Sequence, residues 1–317
     1  MTRRLLVTGG IGFVGGRLVE HLRAAEPGLE IALGTRDPGR PRPPWTQPHR
    51  SVGLDLGDAG ALARAVRGFD AIIHLAGLDE ADSKRDPVAA VEVNTLGTYR
   101  LLRAAVGRVE RFVYVSTIHV YGESLAAGRP VTEETPTRPW HPYAITRRAA
   151  EAFVPAFRVG EGLRSLVLRV SNGYGRPMDP GIARWSLLVN DLCRQAVRTG
   201  RLVLATSGRQ SRDFVSLHDV ARAVHHLLFG VPDSWGDGLF NVGGECSMTV
   251  LEMARRVGDV FERVSGRAAE VATADLSPAE SPQLPFRYSI DKLKATGFAL
   301  EGRMDEEIEG CLRIAGA

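Results

Sequence analysis

Arg3-Arg4-Leu5-Leu6-Val7-Thr8-Gly9-Gly10-Ile11-Gly12-Phe13-Val14-Gly15-Gly16 is the stretch on which the reading of this chain turns. An apolar run from Leu5 to Thr8 breaks into spaced glycines and resumes as a helix-forming stretch from Gly15 to Ala25. The run has the character of a buried strand. Gly9, Gly12 and Gly15 are spaced so that the backbone can approach a ligand closely. The helix that follows would point free amide N–H groups and the positive end of its dipole at a pyrophosphate. Glycine-rich strand-to-helix turns also occur with no ligand, so the rest of the chain has to decide.

Working outward, the 317 residues fit one large α/β unit or two lobes sharing a core. With 44% apolar and 24% charged residues the composition is that of a soluble globular protein. A formal charge of +3, evenly spread, argues against nucleic acid or membrane as partner. Of the 40 basic residues only Lys84, Lys292 and Lys294 are lysine, so any single arginine can reflect compositional bias. Cys193, Cys246 and Cys311 are far apart and lack metal-ligand spacing, which argues against a disulfide framework or a metal site and for a reducing compartment. No signal sequence or long apolar run is evident, and the expected location is cytoplasmic.

Short apolar runs then alternate with helix-length amphipathic segments: Glu30–Leu33, Ala61–Val66, Ala71–Leu75, Pro87–Ala105, Arg111–Ser116, Arg147–Phe157 and Ser165–Val170. That is a βαβ series, which predicts an α/β fold with a doubly wound parallel sheet of the Rossmann type. Ligands bind such sheets beyond the carboxyl ends of the strands. Residues 38–48 read as a surface excursion. After Asn172 the pattern loosens, with helices expected at Ala183–Thr199, Leu217–Leu228 and Thr249–Val264. The expected organisation is a dinucleotide-binding unit over residues 1–172. Residues 173–317 would be mainly a smaller, interleaved substrate lobe, with some segments returning to the sheet.

Several further motifs follow the glycine turn in order: Asp55-Leu56, Ile73-His74-Leu75-Ala76-Gly77, Asn94-Thr95-Leu96-Gly97-Thr98 and Val115-Ser116-Thr117-Ile118-His119-Val120-Tyr121-Gly122. Tyr143-Ala144-Ile145-Thr146-Arg147, Leu168-Arg169-Val170-Ser171-Asn172-Gly173-Tyr174-Gly175 and Arg212-Asp213-Phe214-Val215 complete the series. Together they resemble the extended short-chain dehydrogenases/reductases of the nucleotide-sugar epimerase/dehydratase superfamily, through most of the chain. The resemblance implies an NAD(P)-dependent enzyme acting on a nucleoside-diphosphate sugar. It places Gly9, Gly12, Phe13, Val14 and Gly15 at the dinucleotide, Asp55 and Leu56 at the adenine, and Leu75, Ala76, Gly77 and Asn94 beside the cofactor. Tyr143 and Arg147 fall where the family has Tyr-x-x-x-Lys, and both would also meet the cofactor.

The chemistry these residues suit is hydride transfer at a sugar carbinol. A tyrosine serves as base only where a nearby cation or hydrogen bond favours its phenolate. A cation at i+4 lies on the same helical face, as Arg147 does to Tyr143. Thr117 would hold the reacting oxygen. Arg147 departs from the family lysine, because a planar guanidinium is not interchangeable with a compact ammonium. It is read as a working substitute, as a sign of altered geometry, or as a mark of a catalytically impaired protein that binds or senses a nucleotide. Sugar 4,6-dehydratases of the superfamily carry Asp-Glu directly after the Ser/Thr. Here Ile118 and His119 stand there, which argues against dehydration.

The resemblance also implies sugar-nucleotide contacts for Thr117, His119, Asn172 and Arg212, the last on the diphosphate through a bidentate pairing. His119 titrates near neutrality and is a candidate auxiliary acid or base. His141, before Pro142, would sit on an extended approach to the tyrosine helix. Trp185 would lie on a helix over the sugar pocket. At the end of the second strand, Thr35 and Arg36 favour NADP through a 2′-phosphate, whereas a one-residue shift would give the ribose to Asp37 and favour NAD. The expected activity is C4 epimerisation through a 4-keto intermediate, with NADPH-dependent 4-ketoreduction as the alternative. A homodimer is expected through the helices of Pro87–Ala105 and Arg147–Phe157, with Val91, Leu101, Leu102, Ala149, Ala152 and Phe153 available to the dimer surface or to the sheet.

Overall fold

A computed structural model of the chain describes residues 3–182, 184–231, 235–274 and 287–316. Its strands are β1 (Arg4–Thr8), β2 (Glu30–Thr35), β3 (Arg50–Gly53), β4 (Ala71–His74), β5 (Arg111–Thr117), β6 (Arg164–Val170), β7 (Asn172–Tyr174), β8 (Arg201–Leu204), β9 (Ser211–Ser216), β10 (Leu239–Val242), β11 (Ser247–Thr249) and β12 (Glu270–Thr273). Seven of them form a wholly parallel sheet in the order β10-β6-β5-β4-β1-β2-β3. The order reverses between β1 and β4, which makes a crevice at their carboxyl ends. The fold is therefore the Rossmann-like α/β arrangement.

Alternation along the strands builds two hydrophobic faces. Leu5, Val7, Ile73, Val113 and Leu166 enter one core with Leu18 and Leu22 of α1 (Phe13–Ala25). Leu6, Ile72, Phe112, Tyr114 and Val167 enter the other. A strand buried on both faces needs the near-continuous apolar run seen in β5, every residue of which is buried. The second face is closed by α2 (Ala59–Ala65) and by the helical stretch that follows β4. That stretch comprises α3 (Glu80–Arg85), α4 (Pro87–Ala90), a π turn (Val91–Leu96) and α5 (Gly97–Ala105). The π turn breaks the single helix expected there, and it carries Asn94 to a fully buried position.

The helix bearing Tyr143, α6 (Pro142–Glu161), starts earlier than its apolar run suggests. Pro142 is pre-set for a first helical position, and His141 is the extended N-cap expected of a residue before proline. Gly162 ends the helix in the left-handed conformation.

The smaller lobe has its own core, where α7 (Leu188–Thr199), α9 (Val250–Ser265) and α11 (Met304–Ala315) meet through Leu192, Met253, Val257, Ile308 and Leu312. Strands β7 and β9 run parallel and β11 adds antiparallel to β9, while β8 and β12 make a separate parallel pair. A Thr249–Glu252 capping box starts α9. The helix expected over Ala183–Thr199 begins at Leu188 instead. Ala183 lies outside the described residues, and Arg184 is tied to Asp79 at 3.1 Å, which holds the segment ahead of α7 against the loop after β4. Two further helices close the chain's path. These are α8 (Leu217–His225), which packs on α1, and α10 (Asp291–Lys294), which packs beside β10.

Candidate active site

Glycine at the β1–α1 turn is a steric necessity. Gly9 has φ +68°, and a Cβ there would stand 2.9 Å from the Ala76 amide nitrogen. At Gly15 a Cβ would collide with the Gly9 carbonyl and lie 2.7 Å from the Gly10 Cα. Gly12 caps α1 without a side-chain hydrogen bond, so the first-turn N–H groups stay available to an anion. Phe13 is buried beneath the turn and Val14 packs against the core of the first face. This is a cradle that any side chain would fill, and it fits a pyrophosphate.

The ends of β1 and β4 are stapled beside it. The Leu75 amide donates to the Thr8 carbonyl (3.1 Å), and the Ala76 amide donates to Thr8 Oγ1 (3.2 Å). Thr8 Oγ1 also meets His74 Nδ1 (2.6 Å), and His74 Nε2 meets Thr98 Oγ1 (3.0 Å). Because the Thr98 hydroxyl donates to the Asn94 carbonyl (2.7 Å), it accepts from His74. The network thus assigns a neutral imidazole protonated on Nε2.

Burial, with the Arg147 charge adding to it, pushes the His74 pKa down to about 3. The unfolded chain therefore binds the extra proton first, and stability falls as pH drops below about 6.5. From this group alone the expected loss between pH 7 and pH 5 is about 2 kcal/mol. Urea unfolding at the two pH values checks it, and identical midpoints would contradict the assignment.

Further along the crevice, Leu75 and Ala76 are half-buried and Gly77 is exposed. Asp55 is exposed and accepts from the Gly57 amide (2.8 Å), while Leu56 is buried. Thr35 ends β2 and bonds the Asp37 carbonyl (3.4 Å), and the Asp37 carboxylate accepts from the Gly39 amide (3.0 Å). Arg36 is exposed and has no ion-pair partner among the described residues.

Asn94 spends its amide within the protein. Its oxygen accepts from the Leu78 amide (2.7 Å), and its nitrogen donates to Thr146 Oγ1 (3.1 Å) and the Leu78 carbonyl (3.3 Å). The Thr95 hydroxyl donates to the Thr146 carbonyl (3.0 Å). Together these two residues hold the loop after β4 against the first turns of α6.

Arg147 follows Tyr143 by one turn and is buried, at 4% exposure. Its guanidinium donates to the Val115 carbonyl of β5 and stands 4.7 Å from the centre of the Tyr114 ring. A Cβ at Gly77 would stand 2.8 Å from its Nη1. A planar cation over an aromatic face, beside a glycine that leaves it room, is a seat shaped for arginine. Tyr114 and Gly77 are the supports that sequence reasoning did not single out for Arg147, since Tyr114 reads as one more apolar position of a buried strand.

Tyr143 is half-buried in the first turn of α6. Its ring stacks on His141 (6.2 Å, 14°) and is edge-on to His119 (6.2 Å), and the two histidine rings are 5.5 Å apart. Thr117 ends β5, buried, with its hydroxyl accepting from the His119 amide (3.3 Å). Burial lowers the His119 pKa, with His141 and Arg212 in the same sense and Glu80 opposing them.

Arg212 lies on β9, and burial lowers its pKa while Glu80 raises it. Beside it Asp213 is fully buried, accepting from the Ser171 hydroxyl and the Gly244 and Cys246 amides. Asn172 donates to the Asp213 carbonyl (2.8 Å), which joins β7 to the same spot. Trp185 precedes α7 instead of lying on a helix, and the Arg194 guanidinium of α7 stands 5.8 Å from its ring centre.

No group of three or more histidine, cysteine or acidic side chains is arranged to hold a metal among the described residues. None of the described helices is long and apolar enough to cross a membrane.

Residues 5–243 match the NAD dependent epimerase/dehydratase family. The chain is 33% identical over 275 residues to a GDP-6-deoxy-D-mannose reductase of Pseudomonas aeruginosa, covering 83% of this chain and 81% of that one. Among solved structures, it superposes on a Thermus thermophilus UDP-glucose 4-epimerase in complex with NAD (TM-score 0.80, 30% identity, 98% of both chains). It superposes equally on RMD from Pseudomonas aeruginosa in complex with NADPH (TM-score 0.80, 30% identity, 99% of both chains).

Proposed function

Because this chain belongs to the NAD-dependent epimerase/dehydratase family, whose members act on nucleotide sugars, we propose that it performs oxidoreduction at C4 of a nucleoside-diphosphate hexose, in the first place epimerisation through the 4-ketone. The observation that carries this reading is Tyr143 on the first turn of α6, one turn ahead of a buried guanidinium anchored to the strand that ends in Thr117. The glycine turn would hold the pyrophosphate of the dinucleotide, Asp55 and Leu56 its adenine end, and Gly77 and Arg147 its nicotinamide end. When bound, the nicotinamide takes up and returns a hydride. Tyr143 then removes and restores the carbinol proton, and the Thr117 hydroxyl fixes the oxygen it acts on. Arg212 orients the diphosphate from the small lobe, and Asn172 contacts the sugar nucleotide near the nicotinamide.

A second reading, NADPH-dependent ketoreduction, is favoured by Arg36, which is free at the end of β2 while Asp37 is occupied by the Gly39 amide. A guanidinium there suits a 2′-phosphate. The two readings separate in one experiment. Purified protein mixed with UDP-, dTDP- and GDP-hexoses converts substrate without added cofactor if it is an epimerase that retains its nicotinamide. A reductase acts only on the 4-keto sugars, and only once NADPH is supplied.

The assembly proposed is a homodimer. Val88 (70% exposed), Val91 (46%) and Leu96 (40%) stand out on the α4–α5 stretch, and Ile145 (47%) stands out on α6. Leu101 and Leu102, by contrast, are fully buried against the sheet. Covering the exposed side chains by the same helices of a second copy would give a four-helix contact. Light scattering at micromolar concentration should give twice the 34.3 kDa chain mass, and a stable monomer would refute the dimer. The three cysteines are free, and Cys193 and Cys311 are buried.

A further inference from the structure

The helix that opens the dinucleotide cradle, α1, meets α8 through a pair of histidines. His21 Nε2 of α1 lies 3.3 Å from Nδ1 of His225, the last residue of α8, and His225 Nε2 lies 2.9 Å from the Glu26 carboxylate. An ionised carboxylate can only accept, so the neutral His225 ring carries its proton on Nε2 and turns a bare Nδ1 to His21. A carboxylate behind an imidazole is what fixes the tautomer of a metal-binding histidine. Two nitrogens held at about 2.05 Å by one tetrahedral ion stand about 3.3 Å from each other, which is the spacing His21 and His225 already have. The two rings and Glu26 line a cavity of about 370 Å³ with His226, Phe229 and Phe298, so the open side has room for water. Arg222 lines it too, and its charge is met by Asp219 and Glu301, each at 3.0 Å.

We propose that His21 and His225 are the protein ligands of an exchangeable site for a divalent first-row transition cation such as zinc, which ties α1 to α8. Imidazole nitrogen suits Zn²⁺, Ni²⁺ and Cu²⁺, whereas Mg²⁺ and Ca²⁺ take oxygen ligands. The ion takes the place of the proton between the rings. His21 then carries its proton on Nδ1 and turns the Nε2 pair to the metal, while His225 keeps its bond to Glu26. His218 and His226 stay outside the shell, because the Nε2 of one is bonded to Glu301 (2.8 Å) and that of the other to Thr296 (2.9 Å). With no third histidine, cysteine or acidic side chain converging among the described residues, water fills the remaining positions. Two protein ligands and open water positions make a site that loads and releases its ion, unlike the closed four-ligand shell of a structural zinc. The site stands whether or not the protein acts at C4 of a sugar.

The test uses the full-length protein, freed of metal by dialysis against a chelator and titrated with zinc chloride at neutral pH by calorimetry. One equivalent should bind saturably, with magnesium chloride giving no response. His21→Gln and His225→Gln should each weaken zinc binding by at least about tenfold, and Glu26→Gln, which alters only the group behind the ring, by about tenfold. Zinc should also raise the melting temperature of the wild type and leave that of the two histidine variants unmoved, because an ion that binds only the folded α1–α8 pair stabilises it. A wild type without saturable binding overturns the proposal. So does zinc that binds a folded His21→Gln or His225→Gln variant as tightly as wild type, since it then sits elsewhere. Zinc-edge anomalous density from wild-type crystals grown with zinc chloride needs no variant. A peak between His21 Nε2 and His225 Nδ1 is expected, and its absence overturns the site even if both variants fail to fold.

Discussion

Tyr143→Phe should lower kcat by about 10³-fold while cofactor affinity stays within about threefold. The change removes one hydroxyl and keeps the ring, so the stacking on His141 and the edge contact to His119 survive and the first turn of α6 is undisturbed. What is lost is the hydroxyl proposed to take the carbinol proton, one turn ahead of the buried Arg147. Steady-state rates on the substrate identified by the mixing experiment, with cofactor binding followed by fluorescence, measure both halves. A wild type that turns over no sugar nucleotide in a broad panel, paired with a variant that binds cofactor equally well, would point to the nucleotide-binding protein without catalysis.

Arg147→Ala comes next in size, with an expected loss on the order of 10²-fold in rate and an upward move of the alkaline limb of the pH–rate profile. The proposal sets this cation one turn after Tyr143, and a nearby positive charge favours a phenolate. The variant also leaves the Val115 carbonyl without its donor and the Tyr114 ring without its cation. Arg147→Lys separates charge from shape. Lysine restores the positive charge, and the pH limb should return towards its wild-type place. It does not reproduce a flat fork seated on Tyr114, so the rate should recover only in part. If both variants match wild type in rate and pH profile, Arg147 is a structural cation and the Tyr143–Arg147 pairing is wrong.

What could be read from the sequence follows from how local each cause is. Gly9 and Gly15 were legible because their need for glycine arises within a few residues, where a Cβ would strike the turn itself or the adjacent strand end. Tyr143 and Arg147 were singled out because an i, i+4 spacing sets two residues on one helical face. Thr117, Asn172 and Arg212 carry no local signature, and only their order within a resembling series marked them. The π turn at Asn94 was not legible, since one extra residue in a helix hardly alters an apolar period over a segment of that length. The start of α7 was misplaced because an ion pair between Arg184 and Asp79, distant in sequence, governs the residues before it. Nor could periodicity show that Tyr114 carries the Arg147 guanidinium or that the His119 ring stands against Tyr143 and His141. Both depend on what the fold brings alongside.

An edge strand of the parallel sheet, β10, follows residues 171–238, which supply α7 and α8, and Ile290, Leu293 and Phe298, later still in the chain, complete the core beneath it. On the ribosome, β6 must therefore wait as an open edge, its Val167 amide unmatched until the Gly238 carbonyl arrives at 2.7 Å. Closure of the sheet is a late and non-local event, which slows folding and lengthens the time that edge is open to association with other chains. The same threading limits how such proteins diversify by recombination. A single crossover near Asn172 would join the β6 of one parent to the β10 of another, and a new substrate lobe can be grafted intact only by cutting on both sides of β10.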